Sequence, residues 1–262
     1  MLAAAMTASA GASAESGDPP AMPGSRTDTD AAASIVVGGL GAVSRERLDG
    51  LLAYSSIGQV GFIAAPVAVA AATADPGLRH LAVLAALVYA LHHALTKGLL
   101  FLSAAAVRDV AGTTRLSEIG GLGERSPLFA GVFFVAGLSL VGIPPLVGFF
   151  GKLLVFDAAV GRLAEAPTAG SVLAVAVLLF GGLLTIVYTT RAWVGSFWGV
   201  QTERVSTGSV DRPLVGLLAT LAAVVVLVGV GFEPVYRFAD AAAAAALDTD
   251  AYVETVLGGA GG

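Results

Sequence analysis

The chain is predicted to be an all-α polytopic membrane protein. About five transmembrane helices are expected, one of them broken near Pro144-Pro145, with a partial helix before them. Two observations predict this. Of the 262 residues 56% are hydrophobic and only 13% charged, where a soluble domain has about 25% charged residues. Apolar stretches at 51–73, 78–106, 128–163, 169–198 and 212–232 also each approach or exceed the roughly 20 residues that span a 30 Å hydrocarbon layer.

The elements follow in order. Residues 1–30 are expected to form a disordered tail, because 15–30 are rich in Ser, Asp, Gly, Pro and Thr. Residues 1–14 lack a basic n-region and have no Leu, Ile or Val after Leu2, so they read as a floppy terminus rather than a secretory signal. Ala31 to Val43 resembles the end of a helix. Residues 31–232 form the membrane domain, and 233–262 are expected to be a tail with a short frayed helix around Ala241–Ala246.

The segment 128–163 is too long for one straight span, since a continuous helix of that length would reach roughly 54 Å. Gly142-Ile143-Pro144-Pro145 should break it, because proline removes a backbone donor and disfavours helix at the residue before it. Arginines weigh one broken crossing against two short ones. With one crossing they divide eight against three between the two sides, and with two crossings seven against four. Cytoplasmic loops carry the excess of basic residues. A single crossing is therefore favoured, with 45–50, 107–127 and 191–212 in the cytoplasm, the N-terminal side of the first full span cytoplasmic, and the C-terminus outside.

Twelve arginines serve the loops and tails, but both lysines, Lys97 and Lys152, lie inside apolar stretches. An ionisable side chain within a bilayer costs roughly 2.5–3.5 kcal/mol on insertion scales and is a functional-site signal. Lysine, unlike arginine, can give up its proton when buried. Proton handling is the expectation. His93 precedes Lys97 by four residues, which places both on one helix face about 6 Å apart along the axis, with Tyr89 one turn further. His92 points off this stripe, where interhelical packing is the simpler role. Lys152 lies about two turns beyond Pro145, and Asp157, five residues on, is a possible accessory near the outer surface. In the first span Ser55 and Gln59, and in the fourth Thr185, Tyr188 and Thr189, could bridge waters or bond within their own helices. His80 beside Arg79 reads as a solvated helix end.

Nothing in the composition supports nucleic-acid binding: the net charge is −5 and no basic face is evident. With no cysteine, thiol chemistry and Cys-based metal sites are excluded. No metal triad, phosphate loop, nucleophile elbow or quinone-like motif stands out. Neither an enzymatic site nor a cofactor is expected, and the surrounding partner is the lipid bilayer.

Three motifs occur in order: Leu51-Leu-Ala-Tyr-Ser-Ser-Ile-Gly-Gln-Val-Gly-Phe62, His92-His93-Ala-Leu-Thr-Lys97-Gly-Leu-Leu-Phe-Leu-Ser103, and Gly137-Leu-Ser-Leu-Val-Gly-Ile-Pro-Pro-Leu-Val-Gly-Phe-Phe-Gly-Lys152. Over residues 35–200 the chain resembles the antiporter-like subunits shared by Mrp-type cation/proton antiporters and respiratory complex I. The tandem histidine is most similar to the D-type subunit of the Mrp antiporters. The resemblance implies the second of two inverted five-helix repeats. It also implies a proton path through Lys97 and Lys152 with His93 alongside, exchange of protons for Na+, and other membrane subunits as partners in the plasma membrane. A complex I-type subunit, part of a redox-driven translocase, is the alternative. The resemblance covers only the C-terminal part of a full member, and Asp49 and Gly50 stand where the family has a basic pair. That leaves open a subunit paired with a separate N-terminal half, or a non-conducting remnant with a structural or assembly role.

Overall fold

The computed structural model describes residues 23–202, 205 and 211–248. Among them are nine α-helices and one short 3-10 turn. Helix α1 is Pro23–Ser44, α2 Leu48–Ala72, α3 Pro76–Ala111, α4 Leu122–Arg125, α5 Pro127–Val141, α6 Val147–Glu165, α7 Ala169–Phe197, α8 Arg212–Val230 and α9 Phe232–Leu247. The chain is a helical, multi-pass membrane protein. Helices α2, α3, α7 and α8 are each long and apolar enough to cross a bilayer, and α5 is a shorter apolar helix.

Local chemistry fixes the boundaries. Asp75 caps α3, its carboxylate accepting from the Leu78 amide at 2.9 Å with Pro76 just inside the helix. Gly112, in the left-handed conformation with φ of 66°, ends it. Helix α7 opens on a reciprocal capping box between Thr168 and Ser171. Helix α1 starts at Pro23, so 23–30 is helical rather than part of a disordered tail. Proline suits the first turn because its ring presets φ and no donor is lost there. Residues 1–22 and 249–262, where the terminal expectations fell, lie outside the described residues.

The loops sort to two ends. At the first, Leu48 N donates to Thr114 O at 2.8 Å, Leu116 N to Glu46 O at 2.9 Å and Gly121 N to Trp198 O at 3.2 Å. At the second, Thr73 Oγ1 donates to Glu165 at 2.8 Å and Arg79 to Thr73 O at 2.8 Å. Helix α5 begins at the first end and α6 finishes at the second, so 127–165 crosses once and is broken at 142–146. Helix α9 is not a tail: Ala239 and Ala243 pack with Leu84 and Val88 of α3, and Asp240 meets His80 Nε2 at 2.7 Å. His80, read as a solvated end, therefore ties α9 to α3.

Small residues set the helix spacing, as expected in a bilayer where hydrophobicity does not drive helices together. Helix α1 lies so close to α2 that a Cβ on Gly38 would fall 2.2 Å from the Gly58 nitrogen. A large apolar cluster around Phe129, Phe133 and Phe197 fills the half nearer the first end, and a smaller one around Ile35, Phe62, Tyr89, Val155 and Leu178 lies towards the second.

Candidate functional site

The helix break follows from backbone hydrogen bonding. In a continuous helix the carbonyls of Leu140 and Val141 would accept from residues 144 and 145, which are prolines and have no N–H. The chain turns at Gly142, whose φ of 93° suits glycine, and a cis Pro144-Pro145 bond leads into α6. The freed Val141 carbonyl accepts from Lys152 Nζ at 2.7 Å. Lys152 is 8% exposed, and its ammonium lies 5.6 Å from the centre of the Phe62 ring. It turns inward to the break rather than snorkelling to a surface.

Lys97, 4% exposed, reaches across from α3 to α2. It donates to Leu52 O at 3.1 Å and to the Ser55 hydroxyl. Tyr188 of α7 interacts with Ser55 and accepts from Gln59 Nε2 at 2.9 Å, while Gln59 Oε1 accepts from the Tyr89 hydroxyl at 2.5 Å. Thr185 completes this group, 3.3 Å from both Gln59 Nε2 and the Tyr188 hydroxyl. Ser55, Gln59, Tyr89, Thr185 and Tyr188 are all buried. The network therefore runs Lys97–Ser55–Tyr188–Gln59–Tyr89 through helices α2, α3 and α7.

His92 extends it towards the break. Its ring meets the Tyr89 ring edge-on at 5.3 Å, its Nδ1 lies 3.2 Å from Thr96 Oγ1, and Thr96 in turn lies 3.0 Å from the Ser139 hydroxyl. The two histidines thus exchange the settings expected of them. His92 is fully buried at the centre and His93 half-buried; His92 Nε2 and His93 Nδ1 are both without a hydrogen-bond partner among the described residues. The cause is the glycines of α6. Gly148 brings α6 against His92 and the Ser139 carbonyl: a Cβ there would lie 2.7 Å from His92 Cε1 and 1.8 Å from Ser139 O.

Asp157 is not part of this site. It is exposed on the outer face of α6 between Leu153 and Val160, both also exposed. Asp49, just inside α2, is held by Arg47 at 3.1 Å, Arg108 at 2.5 Å and Thr114 at 2.9 Å. Thr96 and Ser139 carried no sequence signal, being short hydroxyls that also occur as ordinary helix residues. Among the described residues neither lysine has a carboxylate within ion-pair distance, and no three His, Asp or Glu side chains come together as a metal site.

A discontinuous membrane helix beside two interior lysines defines the class: a helical membrane subunit with a broken span, a feature that marks ion sites in transporters. Residues 29–164 match the family described as NADH:quinone oxidoreductase/Mrp antiporter, TM, and the chain belongs to that family. It is 34% identical over 226 residues to the D subunit of the Na(+)/H(+) antiporter of Alkalihalophilus pseudofirmus, covering 86% of this chain and 43% of that protein. It is 35% identical over 207 residues to the N subunit of the NADH-quinone oxidoreductase of Desulforudis audaxviator, covering 77% and 38%. A chain in the structure of the Mrp complex from Dietzia superposes with a TM-score of 0.75 at 25% identity, covering 88% of this chain and 49% of that one. The sequence spans less than half the length of these curated relatives.

Proposed function

We propose that the chain forms a proton half-channel in a multisubunit monovalent cation/proton antiporter. The observation that carries this reading is the setting of the two lysines. Each is buried, and each rests on neutral acceptors, Leu52 O and Ser55 for Lys97 and Val141 O for Lys152. An ammonium without a counter-ion in a water-poor interior is poised to release its proton, and neutral hydrogen-bond partners allow it to return. Protons then pass among Lys97, His92 and Lys152, with Tyr89, Ser55, Gln59 and Tyr188 orienting the route and His93 at its edge. Asp157 takes no part in it.

Na+ is the exchanged cation in this reading, following the name of the antiporter relatives. The partners are further membrane subunits, including helices equivalent to the part of the longer relatives that the match does not reach. The arginine-rich first end faces the cytoplasm of a plasma membrane by the excess of basic loops. The test is Lys152→Ala in the assembled complex, produced in sodium-sensitive cells that lack their own antiporter. Loss of sodium-dependent growth and of cation/proton exchange is expected, and exchange at the wild-type rate contradicts the reading. The 35% identity to an NADH-quinone oxidoreductase N subunit favours a second reading, a subunit of a redox-driven pump. Co-purification with flavin or iron–sulfur subunits would decide for it.

A further inference from the structure

We propose that the cavity between α1, α2, α6 and α7 is the water-filled vestibule by which the aqueous phase at the second end approaches the lysine network, with Phe62 as its inner barrier. The proposal deepens the half-channel reading and rests on it.

The cavity has a volume of about 360 Å³. Asp28, Arg162, Thr168 and Ser171 line it near the second end, and Ile35 and Leu178 line its depth. One acidic and one basic side chain, Asp28 and Arg162, thus stand at the mouth with two hydroxyls, and Arg162 also pairs with Glu165 at 3.3 Å. Charged and polar side chains keep such a mouth wet. Ile35 and Leu178 also belong to the apolar cluster that contains Phe62 and Tyr89. The Phe62 ring stacks on Tyr89 at 5.6 Å and lies 5.6 Å from the Lys152 ammonium. Between the cavity and the network, then, stands one layer of apolar side chains. Helix α2 runs the length of this route: Ser55 and Gln59 lie in the network, Phe62 at the barrier, and Ala65 and Val69 on the cavity wall. An apolar constriction between two polar compartments blocks passage until it is wetted.

The chain contains no cysteine, so single introduced cysteines report access without a background from the subunit itself. The variants are Ala65→Cys and Ala32→Cys on the cavity wall, Val155→Cys behind Phe62, and Leu179→Cys, 60% exposed on α7 outside the cavity. Each is made in the complete complex in sealed membrane vesicles. The probe is a membrane-impermeant trimethylammonium methanethiosulfonate, read as the mass increase of this chain.

Both wall cysteines should react from one side only, about tenfold faster than Leu179→Cys, which faces away from the cavity. Val155→Cys should stay unmodified until Phe62→Ala is added. Wall cysteines that react with a lipid-soluble maleimide but not with the charged reagent would overturn the proposal in favour of an acyl-chain pocket. Rapid modification of Val155→Cys with Phe62 in place would overturn the barrier. Labelling requires no transport, so wild-type exchange by Lys152→Ala would sink the half-channel reading alone, and an inaccessible wall this one alone.

Discussion

Lys97 draws its acceptors from a neighbouring helix, whereas Lys152 uses a carbonyl that its own broken helix sets free. Around Lys97 the helices are continuous: α3 runs unbroken from Pro76 to Ala111, and Leu52 and Ser55 belong to α2. Around Lys152 two adjacent prolines remove the donors that Val141 O would otherwise meet, and the lysine takes their place. The first arrangement depends on a side-chain hydroxyl and on helix packing. The second depends on the backbone. A protein can thus satisfy a buried ammonium either by importing an acceptor or by withholding a donor, and the two are vulnerable to different substitutions.

The largest expected effect separates them by packing. Gly148→Ala drives a Cβ into Ser139 O and His92, and should destabilise the break by about 1–3 kcal/mol or more. Gly98→Ala, beside Lys97 with nothing within 4 Å of the added carbon, should leave stability unchanged or slightly raised, since alanine is the better helix former. Thermal unfolding of the purified complex compares the two; equal melting temperatures would mean that α6 does not press on His92.

Next comes Ser55→Ala, which removes the side-chain acceptor of Lys97 alone. A hydrogen bond to a charged group contributes about 1.5–3 kcal/mol, so exchange should fall by roughly tenfold or more. Pro145→Ala is the corresponding change at the other lysine. It returns an N–H that can compete for Val141 O, and a loss of about 1 kcal/mol corresponds to roughly fivefold in exchange. Should Ser55→Ala and Pro145→Ala both leave the exchange rate intact, the hydrogen bonds described for the lysines have no bearing on transport. Asp157→Asn stands last: on the outer face of α6 it should leave exchange within error of wild type, and a large loss would place it in the path after all.

Much of the fold was legible because its signals are local. The five apolar stretches match α2, α3, the α5–α6 pair, α7 and α8 to within a few residues, apart from the longer C-terminal end of α3. Pro144-Pro145 marked the break, and the arginine count favoured the single crossing. Both lysines stood out because they lie well inside the apolar stretches, whereas the arginines there, Arg79, Arg162, Arg191 and Arg212, lie towards the ends. The rest depended on which helices meet. Spacing along α3 pairs His93 with Lys97, yet it cannot say that Gly148 will bring α6 to the other side, against His92. Lysine is also long enough to leave the face its Cα occupies, so Lys97 finds Ser55 instead of its helical neighbour. The partnership of Gln59, Tyr89 and Tyr188 joins residues up to 129 positions apart. Helix α9 was hidden by its alanines, which read as a tail until Leu84 and Val88 are seen to pack against Ala239 and Ala243.

In the half-channel reading both lysines work by releasing and regaining a proton, beyond simply carrying charge. Lys97→Arg and Lys152→Arg keep the charge and hold the proton, since arginine does not deprotonate in proteins. Cation-driven proton flux, followed with a pH-sensitive dye in vesicles containing the assembled complex, tests this directly. Each arginine variant should lose about a hundredfold in rate, with the complex still assembled. Wild-type flux in either would contradict the account for that lysine.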